Sequence, residues 1–210
     1  MLQFEKPVYK ITDSVESNFY GKFELEPLER GFGNTIGNAL RRVMLSSLPG
    51  SAISSIKIDG VLHEFQTIDG VYEDVATIIL NLKGVVIKNH TNGPKTLHLN
   101  ATEEGEVTAG DIESDPDVEI INKDKVIATL SKGGKLNMEI VVTNGRGYVD
   151  SEINKKLLDI KKPGVIAIDS SYSPIERVSY EVEPARVGQD ETYDKLVLEV
   201  WTNGSMKPEE

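Results

Sequence analysis

The pattern most suggestive of chemistry is Gly31-x-Gly33-x-x-x-Gly37, a glycine-rich turn running into a helix, with Asp59 about twenty residues on. In a dinucleotide site such glycines bring backbone amides close to a pyrophosphate at a helix N-terminus. That chemistry needs a buried apolar strand directly before the glycines and alternating helices and strands after them. Here Glu26-Pro27-Leu28-Glu29-Arg30 intervenes and no such alternation follows. The glycines therefore read as tight turns and close helix packing. A nucleotide-binding enzyme using Gly31–Gly37 is the alternative.

Other candidate centres are weaker. Asp111, Glu113, Asp115, Asp117 and Glu119 invite a calcium reading, but an EF-hand loop wants glycine at its sixth position and Pro116 stands there. The stretch reads as a solvated loop. His63, His90 and His98 lack a second ligand at metal-binding spacing. His63 and Glu64 adjoin on an expected strand, which points them to opposite faces. Ser46, Ser47, Ser170, Ser171 and Ser173 sit in no nucleophile-elbow pattern. With no cysteine there is no disulfide, thiolate zinc or thiol catalysis. Neither catalytic residues nor a metal or cofactor is expected.

Composition narrows the class. A chain of 210 residues can fold as one substantial domain or two small ones. The net charge of −11 repels phosphate, so no direct nucleic-acid binding is expected, and any role near nucleic acid should be indirect or confined to a local basic patch. No apolar run approaches the ~18 residues of a membrane span. The N-terminus Met1-Leu2-Gln3-Phe4-Glu5-Lys6-Pro7 lacks the pattern of a signal peptide. The chain is expected in the cytoplasm, where the Asn-x-Ser/Thr matches at Asn89, Asn100 and Asn203 carry no meaning.

These residues must be carried by elements. Apolar and polar residues alternate over 56–59, 178–182 and 196–201, which predicts half-buried strands, and strands are also expected over 22–25, 61–65, 85–88, 96–100, 118–121, 126–130, 136–143 and 165–168. A helix is expected over 34–48, capped by Asn34 or Thr35 and ended by Pro49-Gly50. A second is expected over 71–82, with Val71, Val75, Ile78, Ile79 and Leu82 on one face and Lys83-Gly84 at its exit. Residues 146–162 read as a loop. Lys207-Pro208-Glu209-Glu210 looks like the opening of a helix, which suggests a truncated chain. The fold class is α+β, mainly antiparallel, with the early helix and the final strands in one unit and the middle inserted as another.

The first helix has two distinct sides. At about 100° per residue, Ile36, Ala39, Leu40, Val43, Met44 and Ser47 share one side, suited to the core or a partner helix. Asn38, Arg41, Arg42 and Leu45 share the other. A leucine between arginines suits a protein contact, because a guanidinium pairs with carboxylates and stacks on apolar surface.

The run Leu28-Glu29-Arg30-Gly31-Phe32-Gly33-Asn34-Thr35-Ile36-Gly37-Asn38-Ala39-Leu40-Arg41-Arg42-Val43-Met44-Leu45 resembles the signature of the bacterial RNA polymerase alpha subunit, in its N-terminal domain. Further blocks carry the likeness in order along the chain: Ile58-Asp59-Gly60-Val61-Leu62-His63-Glu64-Phe65, Asn81-Leu82-Lys83-Gly84, Gly145-Arg146-Gly147-Tyr148-Val149, Tyr172-Ser173-Pro174-Ile175-Glu176-Arg177-Val178 and Glu183-Pro184-Ala185-Arg186-Val187.

The resemblance implies a non-catalytic scaffold that dimerises and nucleates binding of the beta and beta-prime subunits. It implies a dimerisation subdomain over residues 1–50 and 175–210 and an inserted β-rich subdomain over 51–174 that meets the large subunits. Large-subunit contacts are implied at Arg41, Arg42, Leu45, Lys83, Ile168, Ser173 and Arg186, and a dimer interface at Phe32, Ile36, Ala39, Leu40, Val43 and Met44. In this family a further helix follows position 210 and covers the first helix in the dimer, with a DNA-binding domain beyond. A chain without that helix is expected to dimerise weakly, or to remain a monomer with an exposed apolar patch.

Overall fold

The computed structural model describes residues 6–15, 19–158, 160 and 163–210. Residues 1–5, which hold most of the N-terminal reading, lie outside it, as do 159 and 161–162 within the segment read as a loop. The chain divides into two compact units, Met1–Leu48 with Ser173–Glu210, and Pro49–Tyr172. Helices and mainly antiparallel sheets make the class α+β.

In the first unit, β1 (Val8–Val15), β2 (Tyr20–Leu28), β13 (Ile175–Val187) and β14 (Asp190–Thr202) form one antiparallel sheet, ordered β1-β2-β14-β13. Register aligns Phe23 with Leu198 and Leu198 with Tyr180, and Leu25 with Leu196 and Leu196 with Val182. The apolar side chains of three strands thus share one face, since side chains alternate between faces with period two. Helix α1 (Phe32–Ser47) packs on that face. Phe23, Ile175, Val178, Leu198 and Val200 form the buried cluster, with Leu40, Met44, Leu48 and Tyr180 against it.

In the second unit, β3 (Pro49–Ile58), β5 (Lys95–Ala101), β9 (Leu136–Arg146) and β11 (Val165–Ala167) form a sheet ordered β11-β3-β9-β5. Ile56 opposes Ile140, and Ile140 opposes Leu97, so one row of large side chains crosses three strands. Helix α2 (Val75–Lys83) adds Val75, Ile78 and Leu82 to this core, none of them measurably exposed. The smaller pairs are β4 (Ile87–Asn89) with β7 (Val118–Ile120), β6 (Gly105–Thr108) with β8 (Val126–Leu130), and β10 (Tyr148–Val149) with β12 (Ser170–Ser171). Helix α3 spans Ser151–Leu157.

Several expectations need correction. The first helix starts at Phe32, and neither Asn34 nor Thr35 caps it. The second starts at Val75, because Asp74 accepts the Thr77 amide at 2.7 Å as its cap, while Val71 bridges Leu130. Residues 61–65 are not a strand but a turn, in which Gln66 accepts the amides of Leu62 and His63. The opposed faces expected of His63 and Glu64 therefore do not apply. Residues 85–88 shift to Ile87–Asn89, since the Val85 amide still closes α2 on the Leu82 carbonyl. Residues 146–162 hold β10 and α3, the latter capped by Asp150, which accepts the amides of Glu152 and Ile153. Residues 207–210 form one turn, the Glu210 amide donating to the Lys207 carbonyl. Among the described residues no helix is long and apolar enough to cross a membrane.

Candidate functional site

Gly31 stands at the N-cap of helix α1, and its φ of 87° is left-handed and suits glycine. Its first turn has unpaired amides, as every helix start does. The Asp194 side chain, from β14, accepts the amides of Gly31 at 2.8 Å and Gly33 at 3.2 Å. A carboxylate of the chain itself occupies the place where a nucleotide phosphate would bind. Gly33 and Gly37 serve close packing: a Cβ there would lie 2.7 Å from Val182 and 2.5 Å from Tyr180.

This close approach fixes the rotation of α1. Ile36, Leu40 and Met44 are partly buried. Phe32 (53% exposed), Ala39 and Val43 (52%) form an exposed flank at spacing i, i+7, i+11. The stripe drawn from the sequence thus divides into an inward set and an outward set. Asn38, Arg42 and Leu45 line the opposite flank, all exposed. Arg41 differs from Arg42, because its Nε donates to the Val178 carbonyl at 3.4 Å. Beside α1 an apolar groove of about 280 Å³ lies between Leu40, Met44, Tyr9, Phe23, Leu198 and Pro208.

In the second unit Lys83 and Ile168 come together in a cleft of about 310 Å³, walled by α2 and β11. Lys83 Nζ meets the Asp169 carboxylate at 2.6 Å. That contact, with a hydrogen bond from Tyr148, holds the Asp169 carboxyl below the usual carboxylate range despite partial desolvation. Ile168 is 3% exposed, so its side chain belongs to the core and positions its neighbour Asp169. Ser173, in the first unit, turns its hydroxyl onto Ile175. Arg186 is exposed near the β13–β14 turn, donating to the Gly188 carbonyl and pairing with Glu191 at 3.5 Å. Among the described residues no group of three or more His, Asp or Glu side chains could hold a metal ion.

Sequence reasoning missed Asp194, which lies 163 positions from Gly31 and has no local signal. It also missed Asp169 and Tyr148, whose pairing depends on the β10–β12 contact.

The family described as the RNA polymerase Rpb3/RpoA insert domain matches residues 56–173. A DNA-directed RNA polymerase subunit alpha from Desulforamulus reducens is 59% identical over all 210 residues. This chain belongs to the bacterial RNA polymerase alpha-subunit family. Alpha subunits from Symbiobacterium thermophilum and Clostridium perfringens are 57% and 56% identical, again over the whole chain. The chain spans 66% of the length of each of these three alpha subunits. The matched insert-domain segment contains the Lys83–Asp169 cleft, and the alpha-subunit likeness extends over α1 as well.

Proposed function

We propose that this chain is a non-catalytic assembly subunit of bacterial DNA-directed RNA polymerase, acting in the cytoplasm, which dimerises and nucleates binding of the beta and beta-prime subunits. The observation that carries the reading is α1. Its inner side is closed on the sheet, while Arg42 and Leu45 on one flank and Phe32, Ala39 and Val43 on the other remain exposed. Exposed large apolar side chains at helical spacing suit protein contacts.

Phe32, Ala39 and Val43, with the inward Ile36, Leu40 and Met44 bordering the groove, form the dimer face. The groove between Tyr9, Phe23 and Met44 leaves apolar surface for a second copy to cover. Arg42 and Leu45 meet a large subunit, with Arg41, Ser173 and Arg186 supporting the first unit's part of that surface. Residues 51–174 form the inserted subdomain and meet a large subunit through Lys83, with Ile168 acting behind Asp169.

Co-expression with the beta and beta-prime subunits tests this reading. Arg42→Ala should lose co-purification with the large subunits while its circular dichroism stays unchanged. Normal assembly by that variant would refute the placement of the surface. Sedimentation of the isolated chain tests the dimer. Val43→Glu should lower the sedimenting mass, and a variant sedimenting as wild type would remove that face from the interface.

A further inference from the structure

The cleft of the second unit is apolar inside and charged at its rim. Ala76, Ile79 and Leu80 from α2 face Ile166 and Ile168, with Glu64, Lys83 and Asp169 at the edges. Among the described residues no buried side-chain nitrogen or oxygen lacks a partner, so nothing in the cleft calls for a hydrogen-bonding ligand. Leu80 is 66% exposed at the lip, although α2 has a fully buried face in Val75, Ile78 and Leu82. The volume of about 310 Å³ is near the ~300 Å³ floor of small-molecule sites and suits one large side chain.

The rim charges do not balance. The Lys83 ammonium is engaged by Asp169 at 2.6 Å. Among the described residues Glu64 has no cationic partner, so the lining carries two carboxylates against one ammonium. A partner seated here gains by bringing a positive charge to Glu64, because interfaces favour opposite potentials and penalise like ones.

We infer that this cleft receives one large apolar side chain from a segment of a large polymerase subunit, and that a lysine or arginine beside that side chain pairs with Glu64. The inference rests on the assembly reading above and adds the chemistry of the segment. Leu80 packs on the inserted side chain, and the Lys83–Asp169 pair forms a fixed polar edge that sets its direction of approach.

Photo-crosslinking within the co-expressed complex tests it. p-Benzoylphenylalanine replaces Leu80, whose exposure leaves the core untouched, and the crosslinked peptide is sequenced by mass spectrometry. The expected product joins Leu80's position to an apolar residue of a large subunit with a lysine or arginine within two positions. A crosslinked segment without a cation overturns the inference and leaves the assembly reading intact. So does the absence of any large-subunit crosslink from a complex that still co-purifies. Failure of the wild-type chain to co-purify with large subunits overturns both. In parallel, Glu64→Lys should reduce the salt concentration that dissociates the complex at least twofold, with Glu64→Gln intermediate; unchanged salt tolerance in both variants also overturns the inference.

Discussion

Asp194 accepts the Gly31 amide at 2.8 Å, joining the start of α1 to β14 across 163 positions of sequence. The same carboxylate takes the Gly33 amide at 3.2 Å. A helix N-terminus favours an anion there, through free amides and the helix dipole, and the chain supplies its own.

Removing that cap should cost about 1 kcal/mol, the usual value for losing an N-cap acceptor. Asp194→Ala should therefore lower the urea midpoint of the first unit. Calorimetry with NAD and ATP should give no binding heat for either protein. Binding by the variant alone would mean that Asp194 masks a phosphate site.

Gly37 tests how closely α1 lies on its sheet. A Cβ there would come within 2.5 Å of the Tyr180 ring and 2.9 Å of Leu196. Gly37→Ala should destabilise by ~1–3 kcal/mol through overpacking, measured by denaturant unfolding. A neutral effect would mean that the helix can lift off the sheet without penalty.

Asn154 is 2% exposed, and its amide donates to the Ile168 carbonyl at 2.8 Å and to Ser170 Oγ at 2.9 Å. Ser170 in turn donates to the Ile53 carbonyl at 2.8 Å. Asn154→Ala leaves a buried acceptor without its donor and should cost ~1–3 kcal/mol. Hydrogen exchange should show α3 and the strand after it losing protection together.

The Lys83–Asp169 pair predicts a pH dependence. The Asp169 carboxyl is held below its ordinary value, first by the Lys83 hydrogen bond. Its contribution to stability is therefore complete above the ordinary carboxylate value of about 4, and fades as pH falls through the lowered native value. Lys83→Met should be less stable than wild type at neutral pH. The gap in urea midpoint should narrow as pH falls below about 4. A constant gap would assign the effect to lost packing of the lysine stem.

Local signals were readable from sequence where one element supplied them. The apolar run over 126–130 matches β8 at its full extent, and the period of Val75, Ile78 and Leu82 matches the buried face of α2. Where a residue's partner lay far along the chain, the signal was silent. The side of α1 that meets the sheet depends on Gly33 and Gly37, which have no side chain to count in a hydrophobic wheel. Arg41 and Arg42 look equivalent in sequence, yet Arg41 reaches the Val178 carbonyl and Arg42 does not. Helix α3 is hidden because its charged surface resembles a loop, although Asp150 is of a residue type favoured at helix N-caps.

The sheet of the first unit seats β14 between β2 and β13, with Leu25 opposite Leu196. The second unit is a continuous stretch, Pro49–Tyr172. During synthesis the two cannot mature together. The inserted unit has all its strands once Tyr172 has left the ribosome, while β2 and α1 still await β13 and β14. Until those emerge, Phe23, Leu40 and Met44 have no β-hairpin to cover them, and this is the interval in which a nascent chain is most exposed to wrong partners. The face of the sheet on which α1 packs is therefore complete only after β14 is made.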